Sequence, residues 1–171
     1  MKIIFILVVA LVLAGCVKEP QLYSGSGSKP VYEPLSSFGK FSIEVPRSIQ
    51  NGSKSVFYKN YLFLIDEQQG VHVIDFNDPN NPVSLKFIKI LGNLDISISN
   101  DLLYADSGPH LLVLDISNMS NITLKYKLEN QFKPTVISPP SYKGYFECYE
   151  PIKGWIIGWE TGNIESAKCY K

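Results

Sequence analysis

A forty-residue period constrains this chain more than any other feature. Asn60-Tyr61-Leu62-Phe63-Leu64-Ile65-Asp66 aligns with Asn100-Asp101-Leu102-Leu103-Tyr104-Ala105-Asp106, and Val71-His72-Val73-Ile74-Asp75-Phe76 aligns with Leu111-Leu112-Val113-Leu114-Asp115-Ile116, both at an offset of 40. After one slipped residue, Leu85-Lys86-Phe87 meets Leu124-Lys125-Tyr126. Each copy has an apolar run ending in an acid, a short turn, and a second apolar run ending in an acid. A polar turn follows, Asn77-Asp78-Pro79-Asn80-Asn81-Pro82 in one copy and Ser117-Asn118-Met119-Ser120-Asn121 in the other. A unit of this length cannot bury its apolar faces alone and must stack on a neighbour.

The runs are too short for helices, and their unbroken Val, Ile, Leu, Phe and Tyr content predicts strands covered on both faces. All eleven prolines follow Cys16, which argues against long helices in the rest of the chain. Further strands are expected at 41–45, 55–58, 95–99, 145–149 and 155–160. Four short strands per forty-odd residues, stacked face to face, describe the blade of a β-propeller.

Val71-His72-Val73-Ile74-Asp75 and Leu111-Leu112-Val113-Leu114-Asp115 resemble the core of the LVIVD repeat. Phe87-Ile88-Lys89-Ile90-Leu91-Gly92-Asn93-Leu94-Asp95-Ile96 and Leu102-Leu103-Tyr104-Ala105-Asp106 are similar to the repeat region of Bacteroidetes lipoproteins, and Lys153-Gly154-Trp155-Ile156-Ile157-Gly158-Trp159-Glu160 resembles the segment after it. The resemblance implies an all-β, propeller-like fold over residues 41–171 and an exported lipoprotein. It carries no established chemistry. With two clear repeats, the expectation is a partial propeller-like stack of about three small antiparallel sheets, since a closed propeller takes about four to eight blades. Such a stack stays open or is completed by other copies.

The N-terminus reads as an export signal. Lys2 precedes eleven apolar residues, 3–13, which at about 1.5 Å each cannot cross a hydrocarbon core of about 30 Å. The ending Leu13-Ala14-Gly15-Cys16 resembles the lipobox of bacterial lipoproteins, in which the signal (here 1–15) is removed and the cysteine is lipidated. That implies three acyl chains on Cys16 and a membrane partner, anchored and not spanned. Glycine, proline and serine mark 16–40 as a flexible tether. Val17 stands where aspartate would signal inner-membrane retention, which points to the outer membrane, and Lys18-Glu19 is similar to the charged surface-export signals of Bacteroidetes lipoproteins. Taking fifteen residues and Lys2 from the 171 residues and 16 Lys and Arg leaves 156 residues with 15 basic against 16 acidic side chains. A net charge of −1 excludes the basic surplus of a nucleic-acid binder.

The chemistry is sparse. Asp66, Asp75, Asp106 and Asp115 recur in register. They can be read as carboxylate pairs or calcium ligands, but their recurrence in both repeats favours turn acids that accept backbone N–H bonds. His72 and His110 are the only histidines, with no cysteine or acid at zinc-ligand spacing, so no metal and no cofactor is expected. Tyr142, Tyr145, Phe146, Tyr149, Trp155, Trp159 and Tyr170 make the C-terminal part aromatic. They are read as packing, with Trp155 and Trp159 on one strand face beside Ile157, or else as a stacking surface for a glycan or protein. With Cys16 taken by lipid, Cys148 and Cys169 form an even pair suited to a disulfide in an exported protein. The leading expectation is a non-catalytic envelope scaffold or binding module. A small glycan-active or other hydrolytic enzyme and a homo-oligomeric structural component are the alternatives.

Overall fold

The computed structural model describes residues 22–133, 139 and 143–171. The signal at 1–15, Cys16, the first tether residues and Tyr142 lie outside them. The described chain is all-β, with three small sheets and two single turns of 3₁₀ helix. The first sheet joins β2 (Ser42–Glu44), β3 (Gly52–Tyr58), β4 (Tyr61–Asp66), β5 (Gly70–Asp75) and β6 (Val83–Lys89) in the order β2-β6-β5-β4-β3. The second joins β7 (Ile96–Ser99), β8 (Leu102–Ser107), β9 (His110–Asp115) and β10 (Thr123–Leu128) in the order β10-β9-β8-β7. These two antiparallel meanders are the two repeats.

They pack face to face. Phe63, Ile65, Val71, Val73, Ile88 and Ile90 of the first repeat form one fully buried cluster with Ile96, Leu103, Ala105, Leu112 and Leu114 of the second. At about 1.5–3 kcal/mol for each large side chain taken from water, this interface is the largest favourable contribution in the molecule. Polar rivets cross its rim. Lys54 Nζ donates to Asp95 Oδ1 at 2.5 Å and to the carbonyl of Ile96 at 2.9 Å. Lys59 Nζ donates to Asp101 Oδ1 at 2.5 Å, and Lys86 Nζ to the carbonyl of Met119. The outward faces are covered in part: Leu62, Leu64, Leu102 and Tyr104 are half-buried, while His72, Phe87 and Val113 are buried, so burial on both faces holds at some strand positions and not at others.

The forty-residue alignment is off by one over half of each repeat. In the first, Phe63 pairs with Val73 and Asp66 with Gly70, leaving a three-residue hairpin. In the second, Tyr104 pairs with Val113 and Ser107 with His110, leaving a hairpin of two residues. The second strands and polar turns superpose at an offset of 40, but β8 matches β4 at 41. One residue of slip turns a strand over, because side chains alternate between faces. The residue at the Phe63 position is therefore Tyr104, and the one at the Asp66 position is Ser107.

The third sheet is not another repeat. Its order is β12 (Trp155–Ala167), β1 (Tyr23–Glu33), β11 (Tyr145–Phe146), β13 (Cys169–Tyr170). β1 runs antiparallel to β12 from Tyr23 opposite Ala167 to Glu33 opposite Trp155, and parallel to β11 at Ser28 opposite Phe146. Residues 23–33 are thus a central strand, which corrects their assignment to a flexible tether. Their Gly/Ser composition lacks strand propensity, but the thirteen-residue β12 supplies the pairing, and the glycine has a use. A Cβ on Gly27 would come within 2.2 Å of the Ile164 side chain.

Phe38, in the loop after β1, joins this sheet to the repeats. It is buried, its ring lies 6.1 Å from that of Trp155, and Gly92 and Gly108 form its seat. Both glycines have left-handed φ (75° and 55°), and a Cβ on either would lie 2.7 Å from the Phe38 ring. The Gly39 N–H also donates to Ser107 Oγ at 2.9 Å.

The register makes a testable distinction between adjacent leucines. Leu112 is fully buried between the sheets, whereas Leu111 points to the outward face. Leu112→Ala should lose about 2–5 kcal/mol in urea unfolding, and Leu111→Ala clearly less. Equal losses would mean the register is wrong.

Candidate functional site

The repeat acids fall into two kinds. Asp75 and Asp115 end the second strands and hold the polar turns identically. Asp75 Oδ1 accepts the N–H of Asn77 at 2.8 Å, and Asp115 Oδ1 accepts that of Ser117 at 3.0 Å and its hydroxyl at 2.6 Å. Three residues further on, Asp78 Oδ1 accepts from Asn80 N–H at 3.0 Å and Asn118 Oδ1 from Ser120 N–H at 2.9 Å. These are Asx turns, in which a short side chain takes the place of a backbone acceptor. Ser117 lowers the Asp115 carboxyl below its ordinary value, chiefly through its hydroxyl.

Asp66 and Asp106 clamp the loops that enter their sheets, from opposite faces. Asp66 is fully buried. Its Oδ1 accepts the N–H of Asn51 at 2.7 Å, and its Oδ2 lies 3.2 Å from both Arg47 Nη2 and His72 Nε2. Arg47 lies across the Phe87 ring with its guanidinium carbon 3.7 Å from the centroid, and the His72 ring lies 4.8 Å from the same ring. Burial pushes the Asp66 carboxyl up, but bonds from Asn51, His72 and Gln50 and the Arg47 charge outweigh it and hold it below 3.8. Asp106 Oδ1 accepts three donors at 2.8 Å each: the N–H groups of Leu94 and Asp95 and the Asn93 amide. No cation faces it. Burial therefore dominates, against those bonds and with the Asp95 charge adding, and the carboxyl lies above 3.8.

Neither repeat brings its two acids together. Asp66 pairs across from Gly70, at one end of the β4–β5 hairpin, and Asp75 lies at the other. Five residues of strand at about 3.3 Å each separate them by about 17 Å, beyond the roughly 5–10 Å of a glycosidic carboxylate pair. Among the described residues, no group of three or more His, Cys, Asp and Glu is placed to hold a metal.

His72, His110, Phe146 and Trp155 are buried, whereas Tyr170 is largely exposed. His72 fills a buried site between Asp66 and Phe87. His110 Nδ1 accepts the N–H of Asn130 at 3.3 Å, and burial, with the Lys127 charge, lowers its pKa. Trp155 and Trp159 were expected on one face, but the register shifts by one residue between Val31 and Tyr32, opposite Ile157. That bulge reverses the alternation. Trp155 meets Phe38, while Trp159 meets Phe146 edge-on at 5.6 Å. Cys148 and Cys169 lie at disulfide distance, Cα to Cα 5.3 Å, where β13 returns beside β11.

Two recesses open on the repeats. A recess of about 490 Å³ lies between them, lined by Tyr58, Lys59, Tyr61, Asp101, Asn118 and Met119 among others. Within its lining the Tyr58 hydroxyl donates to Asp101 Oδ1 at 3.2 Å and accepts the Asp101 N–H at 3.1 Å. A second, of about 300 Å³, lies on the outward face of the second sheet between Tyr104, Asp106, Leu111 and Phe132. Reading the sequence did not single out Arg47, Lys54, Lys59, Asn93 or Asp101. Arg47 carried one available signal, as the chain's only arginine.

Fold and register define a propeller-like stack of two four-stranded repeat units, the first extended by β2, with a third sheet built from the chain's two ends. The family model of the LVIVD repeat matches residues 94–129, which is the second sheet with its flanking loops, so this part of the chain carries an LVIVD repeat. No curated protein and no solved structure matches it significantly.

The opposite shifts of Asp66 and Asp106 give opposite pH dependences. The bonds of Asp66 stabilise the fold above pH 3.8, and that contribution is lost as pH falls through the lowered folded value. The raised Asp106 binds its proton more readily folded than unfolded, so its ionisation costs stability at neutral pH and the cost is relieved as pH falls. In thermal melts at pH 7, Asp66→Ala should lose about 1–3 kcal/mol for the donors left unpaired. Asp106→Asn, which keeps an acceptor oxygen without the charge, should be neutral or stabilising. A comparable loss in both variants would contradict this assignment.

The cysteine pair closes a loop over a sequence separation of 21, worth roughly 3 kcal/mol in the chain-entropy model. Replacing both cysteines by serine should lower stability by about that amount. Peptide mapping without reductant should find the linked pair, and free alkylation of both thiols in native protein would rule it out.

Proposed function

We propose that the protein is a non-catalytic lipoprotein of the bacterial cell envelope, anchored through lipid on Cys16, that presents its repeat body as a scaffold or binding module for a protein or glycan partner. The observation that carries this reading is the use of the repeat acids. Each of the four is engaged by a loop or turn of its own repeat, and within a repeat they stand too far apart to act on one bond. Acids that are each committed to holding a turn or an entering loop leave their carboxylates no free role, which suits a display surface better than an active site. The recess between the repeats, with two tyrosines, a lysine and an aspartate in its lining, offers the hydrogen bonds and flat rings that a sugar or a polar peptide loop would use.

The anchor rests on Leu13-Ala14-Gly15-Cys16 and the apolar run before it, and Val17 favours the outer membrane. The similarity of the repeat text to Bacteroidetes lipoproteins supports the same assignment. Since β1 begins at Tyr23, seven residue steps lead to it from Cys16, a reach of at most about 25 Å. The body then sits close against the lipid headgroups. Cells fed a fatty-acid analogue should label the protein, and Cys16→Ser should abolish the label and release the protein from the membrane fraction. Labelling that persists in the variant would defeat the lipoprotein reading.

A further inference from the structure

The two repeats are joined by two different faces, and each face occurs a second time at an end of the stack, with no other sheet packed on it in the described residues and with Arg47 over the hairpin end of one. Inside the chain, the face of the first sheet bearing Val56, Phe63, Ile65, Val71, Val73 and Ile88 packs on the face of the second bearing Ile98, Leu103, Ala105, Leu112 and Leu114. By strand register, the first set corresponds in the second sheet to Ser97, Tyr104, Asp106, Leu111, Val113 and Leu128, which point outward. The second set corresponds in the first sheet to Phe57, Leu62, Leu64, His72 and Ile74, which also point outward, with His72 buried beneath Arg47. We infer that a second copy of this chain docks head to tail, the outward face of its first sheet on the outward face of this chain's second sheet, repeating the internal interface between molecules. This inference rests on strand register and is independent of the proposed lipid anchor and binding role.

Three observations support it. Apolar surface is exposed on both ends: Phe57 is 61% exposed on one, and Tyr126, which pairs with Val113, is 58% exposed on the other. The charges are complementary. Asp106, an acid with no cation paired to it among the described residues, marks the hairpin end of one face, and Arg47 covers the hairpin end of the other above His72 and Asp66. The two hairpins lie on the same side of the stack, since the Gly92 N–H donates to the carbonyl of Gln68 at 2.9 Å and the Gly108 N–H to that of Gly92 at 3.4 Å. A head-to-tail stack therefore brings Asp106 and Arg47 to the same level. Ser97 and Asp106 stand where the internal interface has Val56 and Ile65, so the contact between copies is weaker than the one within and reversible. Head-to-tail contacts close into rings or extend as filaments, depending on the rotation per copy.

Sedimentation of the full chain in mild detergent tests this, using two substitutions at exposed positions that should leave circular dichroism unchanged. Phe57→Glu spoils one end and Tyr126→Glu the other. The wild type should gain mass with concentration in steps of one 19.2 kDa chain, while each variant alone stays at one chain. An equal mixture should form dimers and nothing larger, because one intact face of each kind remains. A wild type that stays monomeric overturns the proposal. So does self-association of either variant alone, which would mean that like faces pair.

Discussion

The packing of the first repeat's inner face on the second's holds everything else in place. Neither meander could stand alone, because each is an open sheet with apolar side chains on both faces, and an isolated small sheet is marginal in water. Once Phe63, Ile65, Val71 and Val73 meet Leu103, Ala105, Leu112 and Leu114, the remaining interactions acquire geometry. The loops that enter the sheets are clamped by Asp66 and Asp106. The lysines at the rim find Asp95 and Asp101 on the neighbouring repeat. The seat for Phe38 exists only because the linker at Gly92 and the hairpin at Gly108 are brought together by that same stacking.

A single residue of hairpin length then decides the chemistry of the ends. The three-residue turn of the first repeat and the two-residue turn of the second put Asp66 and Asp106 on opposite sides of their sheets. One carboxylate consequently lies under an arginine and a histidine and is held ionised. The other stands on an open face with only neutral donors and a neighbouring acid, and is pushed toward its proton. Two acids that look like copies of each other are electrostatically different groups.

The third sheet joins the ends of the chain, with β1 from the start set between β12 and β11 near the finish. Such pairing closes a loop of more than a hundred residues and is entropically costly to form, and the cysteine pair near its rim offsets part of that.

Much of this was legible in the sequence. The strands, their grouping into two units and the open, propeller-like stacking follow from a forty-residue period and from runs too short for helices. The turn acids Asp75 and Asp115 follow from their place before Asn- and Ser-rich turns, and the cysteine pair from even counting. These are local or periodic properties, and the chain states them directly. The strand at 23–33 was hidden, because Gly-Ser text has no strand preference of its own and becomes a strand only when β12 presents a partner. The separation of Trp155 from Trp159 was hidden in a bulge, and that of Asp66 from Asp106 in a hairpin shortened by one residue, since similar letters align at 40 while the backbone pairs at 41. Side-chain composition determines which segments are strands. Register decides which face each residue occupies, and register is set by backbone pairing between segments that only the tertiary fold brings together.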